Sequence, residues 1–287
     1  MVSWTDRYWM SSDGLRLHYR DHGGSSDRPP IVCLPGLTRN ARDFEPVADR
    51  YAGTWRVLSL DFRGRGLSEY DPKPENYAPS TYATDVLALL DAIGIQRAVL
   101  FGTSLGGLVT MILGTSAHDR IAGAMLNDIG PEIDQAGIER IRGFVGRATE
   151  FASWEDLASA LAARNADVYP GYSAEQWQVF ARKISSERDG RITFDYDMAI
   201  ANNFNRAPNG PAASVWPLYQ GMAGIPLLIL RGELSDLLDP EVAQKMADSL
   251  PGAELVTVPN VGHAPALDEP EAIAGIDHLL ARVLASQ

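Results

Sequence analysis

The sequence holds one cysteine, Cys33, among 287 residues, so no disulfide can form within the chain. This fits a reducing compartment. The thiol lies in the apolar run Ile31-Val32-Cys33-Leu34, where a buried structural group is expected rather than a reactive one. Positive charge is also scarce. Lys and Arg number 25 against 37 Asp and Glu, a net charge of −12, and no basic cluster offers the face that a phosphate backbone requires, so nucleic acid is not an expected partner. No apolar run approaches the ~20 residues of a membrane span, the longest being of the order of Ile225 to Leu230. The stretch Met1 to Arg7 shows no basic segment leading into an apolar one; no signal peptide and no membrane partner are expected, and the location reads as cytoplasmic. With no His-Glu-x-x-His, no cysteine cluster and no dense acidic motif, neither a metal nor another cofactor is implied.

What is present alternates. Short β-rich runs at Leu15 to Tyr19, Ile31 to Leu34, Val57 to Leu60, Ala98 to Phe101, Ile121 to Leu126, Leu227 to Leu230 and Leu255 to Val258 are separated by longer segments of helical period. That predicts an α/β fold with a mostly parallel sheet covered by helices. Tyr82, Val86, Leu89, Leu90 and Ile93 share one helical face, as do Leu105, Leu108, Val109, Ile112 and Leu113, and Ile273, Ile276, Leu280 and Val283 predict a final helix. The alternation fails between 131 and 219, which read as several helices without a convincing buried strand. The expected organisation is a core of residues 1–130 and 220–287 carrying a helical cap at 131–219.

The strongest chemical signal is Gly102-Thr103-Ser104-Leu105-Gly106-Gly107, directly after the run Ala98 to Phe101 and opening a helix. A serine in so sharp a strand-to-helix turn presents its hydroxyl above the sheet, with glycines two places away on each side because side chains there would clash. A serine needs a base to become a nucleophile. The chain has five histidines, and His263, in Pro259-Asn260-Val261-Gly262-His263-Ala264-Pro265 before the last helix, is the one whose loop can reach Ser104. The base needs an acid to fix its tautomer. Asp236, in the loop Arg231 to Pro240, is the expected acid, with Asp128 after the run Ile121 to Leu126 as the rival position; Asp239 is expected to cap a helix. The segment Asp61-Phe62-Arg63-Gly64-Arg65-Gly66-Leu67-Ser68 lacks the features of a P-loop or a dinucleotide fingerprint and reads as an Asp/Arg-braced turn.

These motifs, in the order Ser104, Asp236, His263, resemble the α/β-hydrolase superfamily in its capped, serine esterase-like branch. The resemblance implies an oxyanion hole from the backbone N–H groups of Leu37, in Leu34-Pro35-Gly36-Leu37, and Leu105, with Pro35-Gly36 where the family commonly has His-Gly. It implies hydrolysis of small, apolar carboxylic esters through an acyl-enzyme. C–C bond hydrolysis of ring-cleavage diketones, enol-lactone hydrolysis and cofactor-free perhydrolysis use the same triad, and a retired, ligand-binding hydrolase is the alternative of another class. Of the insertion's aromatics (Trp154, Tyr169, Tyr172, Trp177, Phe180 and Trp216), most are expected in the cap's own core; Trp154, Trp177 and Trp216 are the candidates for the pocket wall, and Arg39 for a local carboxylate contact.

Overall fold

In a computed structural model, residues 2–205 and 214–286 are described. The segment 206–213 of the expected cap lies outside them. The chain opens with β1 (Thr5–Met10), β2 (Arg16–Asp21) and β3 (Ile31–Leu34), followed by α1 (Glu45–Tyr51), β4 (Val57–Asp61), α2 (Pro79–Ala92), β5 (Ala98–Thr103), α3 (Leu105–Ser116) and β6 (Ile121–Asn127). The next stretch carries α4 (Gln135–Arg142), β7 (Glu150–Phe151), α5 (Trp154–Asn165), α6 (Ala174–Ile184), β8 (Ser185–Arg188), β9 (Arg191–Phe194), α7 (Ile200–Asn205) and α8 (Trp216–Gln220). It closes with β10 (Leu227–Gly232), α9 (Pro240–Ser249), β11 (Ala253–Val258) and α10 (Pro270–Ala285).

The main sheet runs β1-β2-β4-β3-β5-β6-β10-β11. β2 pairs antiparallel with β1 and with β4, and every other pair is parallel. The central strands are apolar throughout because both faces are covered. Val32, Leu34, Leu58, Leu60 and Leu100 pack on the side of α2, α3 and α9, while Ile31, Cys33, Val57, Val99 and Phe101 pack on the side of α1 and α10. Each fully buried side chain of this kind contributes about 1.5–3 kcal/mol relative to exposure. Burial pushes the Cys33 thiol well above its ordinary pKa, so it is held neutral.

Three sequence expectations change. β1 escaped notice because its residues are polar or exposed except Trp9, as an edge strand's are. α3 buries more than the predicted face, since Gly106, Gly107, Thr110 and Met111 are covered along with Val109 and Leu113, while Leu105, Leu108 and Ile112 are partly buried. The stretch 131–219 is not purely helical: β7, β9 and β8 form a small antiparallel sheet, with Asp189 and Gly190 at φ of 52° and 72° making the tight turn between β8 and β9. The Asp-Gly pair is the local sign of that turn, followed by the alternating Arg191-Ile192-Thr193-Phe194. The cap expected at Asp239 is present, and two more open α5 and α6. Ser153 accepts from the Asp156 N–H, Ser173 and Gln176 form a reciprocal capping box, and Asp239 accepts from the N–H groups of Glu241 and Val242.

Candidate active site

The strand-to-helix turn at 102–107 is forced by contact. A Cβ on Gly106 would run into the Leu34 carbonyl, and one on Gly102 into the Gly106 carbonyl, so only glycine lets α3 start this close to β3 and β5. Between them Ser104 takes φ 51° and ψ −114°, a conformation that non-glycine residues rarely adopt. The strain is offset by hydrogen bonding. The Ser104 N–H donates to the Asn127 carbonyl at 2.9 Å, and the Ser104 carbonyl accepts from Gly107 and Leu108.

His263, on the loop between β11 and α10, stands over this turn. Its Nε2 lies 2.9 Å from Ser104 Oγ and its Nδ1 lies 2.8 Å from Asp128 Oδ2. Asp128 follows β6 and is fully buried. Its Oδ1 accepts from the Gly232 N–H at 2.9 Å, and its Oδ2 also accepts from the Ser235 hydroxyl at 2.6 Å. Both carboxylate oxygens thus have protein donors that fix the orientation of the group toward the imidazole.

This corrects the expectation for Asp236. Its carboxylate is bound by both sides of the Arg140 guanidinium, with Arg140 Nη2 at 2.8 Å from Oδ1 and Nε bonded to Oδ2. Burial, the largest single influence, would raise Asp236, but the hydrogen bond and charge of Arg140, with smaller contributions, together outweigh it and hold the group below its ordinary value. The loop 231–240 does meet the histidine's partner, but through donors: the Gly232 N–H and the Ser235 hydroxyl reach Asp128. What stands against His263 is the acid at the end of β6.

The Pro35-Gly36-Leu37 turn lies beside the serine, since a Cβ on Gly36 would come 3.8 Å from Ser104 Cβ. Leu105 opens α3, where an N–H has no acceptor within the helix. The Leu37 peptide is held from behind by the buried Arg65, whose Nε and Nη2 donate to the Leu37 carbonyl at 2.9 and 2.7 Å. Arg65 is itself fixed by the Arg63 carbonyl and the Tyr82 hydroxyl. The braced turn read from 61–68 thus supports the Gly36-Leu37 turn directly, a link that needed the fold to see. Asp61 adds to it by accepting from the N–H groups of Ala41 and Leu67 and from His18.

A cavity of about 360 Å³ opens on Ser104 and His263. It is lined by the 36–44 segment and Thr103, by the histidine's loop at 261–269, and by the insertion, with Ile141, Phe144, Tyr169, Tyr172, Phe180, Phe194 and Tyr196 among its residues. None of the three expected tryptophans lines it. Trp177 is buried among Tyr169, Tyr172 and Phe180, Trp154 bonds Glu187 under Arg182, and Trp216 on α8 bonds Glu132 beside Lys245. Indoles that find a hydrogen-bond partner or an aromatic neighbour elsewhere are not free to face a ligand. Arg39 does line the cavity, but Asp43 binds it through two contacts of 2.6 Å and its guanidinium lies 4.4 Å over the Phe180 ring. Its charge is already matched.

The insertion also grips the histidine's loop. The Gly262 N–H donates to the Val168 carbonyl at 2.7 Å, and the Tyr169 hydroxyl donates to the Ala264 carbonyl and accepts from the Ala264 N–H. Burial pushes the Tyr169 phenol up to about 12, which keeps it a donor.

A parallel sheet with a strained serine between β5 and α3 and a histidine after the last strand defines an α/β-hydrolase. The profile of the family described as "Alpha/beta hydrolase family" matches residues 31–276, and the chain belongs to that family. It is 32% identical over 274 residues to a 3-hydroxybutyrate-oligomer hydrolase of Cupriavidus necator, covering 92% of this chain and 93% of that protein. It is 26% identical over 250 residues to a 2-(acetamidomethylene)succinate hydrolase of Mesorhizobium japonicum, covering 87% and 85%. Among solved structures, an alpha/beta hydrolase from Novosphingobium aromaticivorans is 54% identical and superposes with a TM-score of 0.93 over 98% of this chain and 99% of that one. The predicted fold class holds, and no helix among the described residues is long and apolar enough to cross a membrane.

Proposed function

We propose that this hydrolase is a serine esterase of small carboxylic esters, with Ser104 as nucleophile, His263 as base and Asp128 as the acid that orients it. The observation that carries the reading is the continuous chain from Ser104 Oγ through His263 to Asp128, at 2.9 and 2.8 Å, opening on a cavity of about 360 Å³. In the reaction, Ser104 Oγ forms a bond to the ester carbonyl carbon while its proton passes to His263 Nε2. The carbonyl oxygen becomes an oxyanion held by the N–H groups of Leu37 and Leu105. The C–O bond then breaks, the leaving alcohol takes the proton from His263, and water, deprotonated by the same nitrogen, releases the acid from the acyl-enzyme. Asp128 stabilises the imidazolium without taking its proton.

The stretch 131–219 serves as the cap in this reading, because it supplies about half of the residues that line the cavity. A cavity of this size favours small substrates over polymers and lipid. The likeness to a 3-hydroxybutyrate-oligomer hydrolase supports esters of short hydroxy acids within that class. The test is labelling by a fluorophosphonate together with turnover of short-chain p-nitrophenyl esters and a ring-cleavage diketone. Labelling and ester cleavage lost in Ser104→Ala support the proposal. A diketone preferred over every ester by ~100-fold, about 2.7 kcal/mol in the transition state, would replace esterase by C–C hydrolase.

A further inference from the structure

Four cations line the cavity, and they differ in how their charge is met. Arg39 is bound by Asp43, and Arg140 by Asp236. Arg164 and Lys183 have no carboxylate within ion-pair distance among the described residues. Of these two, Arg164 is the one whose head group is held in place. It lies in the last turn of α5, and its guanidinium carbon lies 4.6 Å over the Phe144 ring and 6.0 Å from the centre of the Phe194 ring. Both rings also face the cavity. A guanidinium flanked by aromatic faces keeps its donor edge free for a planar anion.

The surroundings add to the case. Partial burial and the nearby Arg140 draw the Arg164 pKa down from its ordinary value, with Tyr196 acting the other way, and no carboxylate among the described residues offsets them. The acidic residues on the cavity wall besides Asp43 are Asp268 and Glu269, which belong to the His263 loop. Glu269 is occupied there by the N–H groups of Ala266 and Leu267. Arg164 is exposed to solvent as well as part of the wall, so it is open both to the cavity and to the outside, whereas Ser104 is half-buried.

We infer that Arg164 is a carboxylate subsite, and that the preferred esters carry a free carboxylate at the end of the acyl or alcohol chain remote from the scissile bond. This rests on the ester-hydrolase reading above and narrows it. A substrate of this kind would span the cavity, its carbonyl at Ser104 and its anion on Arg164 in a charge-assisted, two-point contact. The aromatic walls between would take the connecting chain.

The experiment compares p-nitrophenyl hemi-esters of glutarate, adipate and suberate with p-nitrophenyl esters of the unsubstituted acids of the same length. The expected result is a ratio of kcat/KM, acid over neutral, that favours the acid for at least one length, falls with added salt, and drops by about tenfold or more in Arg164→Gln. Arg164→Lys should keep part of the ratio. An unchanged ratio in a folded Arg164→Gln protein would overturn the inference. If no ester of either kind is cleaved, the esterase reading fails separately. The subsite is then read by calorimetric titration of monomethyl adipate into Ser104→Ala with and without Arg164→Gln: binding weakened about tenfold or more by the second change supports it, and equal binding overturns it.

Discussion

Ser235 donates its hydroxyl to Asp128 Oδ2 at 2.6 Å, the same oxygen that lies 2.8 Å from His263 Nδ1. One carboxylate oxygen thus serves the histidine and the loop after β10 together. The hydroxyl also accepts from the N–H groups of Leu237 and Leu238, so it is fixed on both sides. Ser235→Ala removes a donor from a buried charge without removing the charge. The expected outcome is a fall in kcat of about tenfold with KM little changed, restored in part by Ser235→Thr; steady-state kinetics on a short-chain ester would read it. A kcat within twofold of the parent would show that Gly232 alone suffices to hold Asp128.

The two aspartates offered by the sequence are separated by a pair of amide substitutions. Asp128→Asn should lower kcat by ~10⁴-fold, because the amide can hold His263 in the wrong tautomer. Asp236→Asn, which loosens Arg140 at the cavity wall, should leave kcat within about threefold and act mainly on KM. The reverse ranking would return the acid role to Asp236.

Arg63 is buried and donates to three carboxylates, those of Asp13, Asp71 and Asp85. Asp71 and Asp85 are buried with it. Arg63→Leu leaves two buried acids without their cation, which should cost about 3–5 kcal/mol. In a chain of this size that corresponds to a fall in melting temperature of about 5–8 °C. A scanning-calorimetry shift under about 3 °C would contradict this account of the cluster.

The same cluster gives a pH dependence. The Arg63 hydrogen bond draws the Asp13 carboxyl down from its ordinary 3.8 to about 2. A carboxyl with a lowered folded-state pKa adds stability that is complete above its unfolded value and fades as pH falls through its folded value. Melting temperature should therefore drop between pH values of about 4 and 2, and the drop should be shallower in Asp13→Asn, which should also melt lower than the parent at neutral pH. Equal slopes for the two proteins would remove Asp13 from the explanation.

The strands, the serine turn and the histidine loop were legible because each rests on local chemistry: apolar runs, glycine at positions without room for a Cβ, and a histidine flanked by glycine and proline. The acid was less so. Asp128 and Asp236 both follow parallel strands and precede the same histidine in the chain, and only the third dimension shows that Asp236 turns to Arg140. Charge matching was hidden for the same reason. Arg39 looked available beside the oxyanion loop, while Arg164, in an ordinary helical stretch, gave no local sign that it would lack a carboxylate. The tryptophans were misread by residue type. Their size suited a pocket wall, but their N–H groups and faces found partners elsewhere.

The contacts that join Val168 and Tyr169 to Gly262 and Ala264 set a limit on how the cavity can admit a ligand. The connection from α5 to α6 cannot swing outward as a door without tearing out the backbone support on either side of His263. Any widening of the entrance that leaves the histidine seated must therefore be borne by another part of the rim, where α4 and β9 contribute Arg140, Ile141 and Phe194.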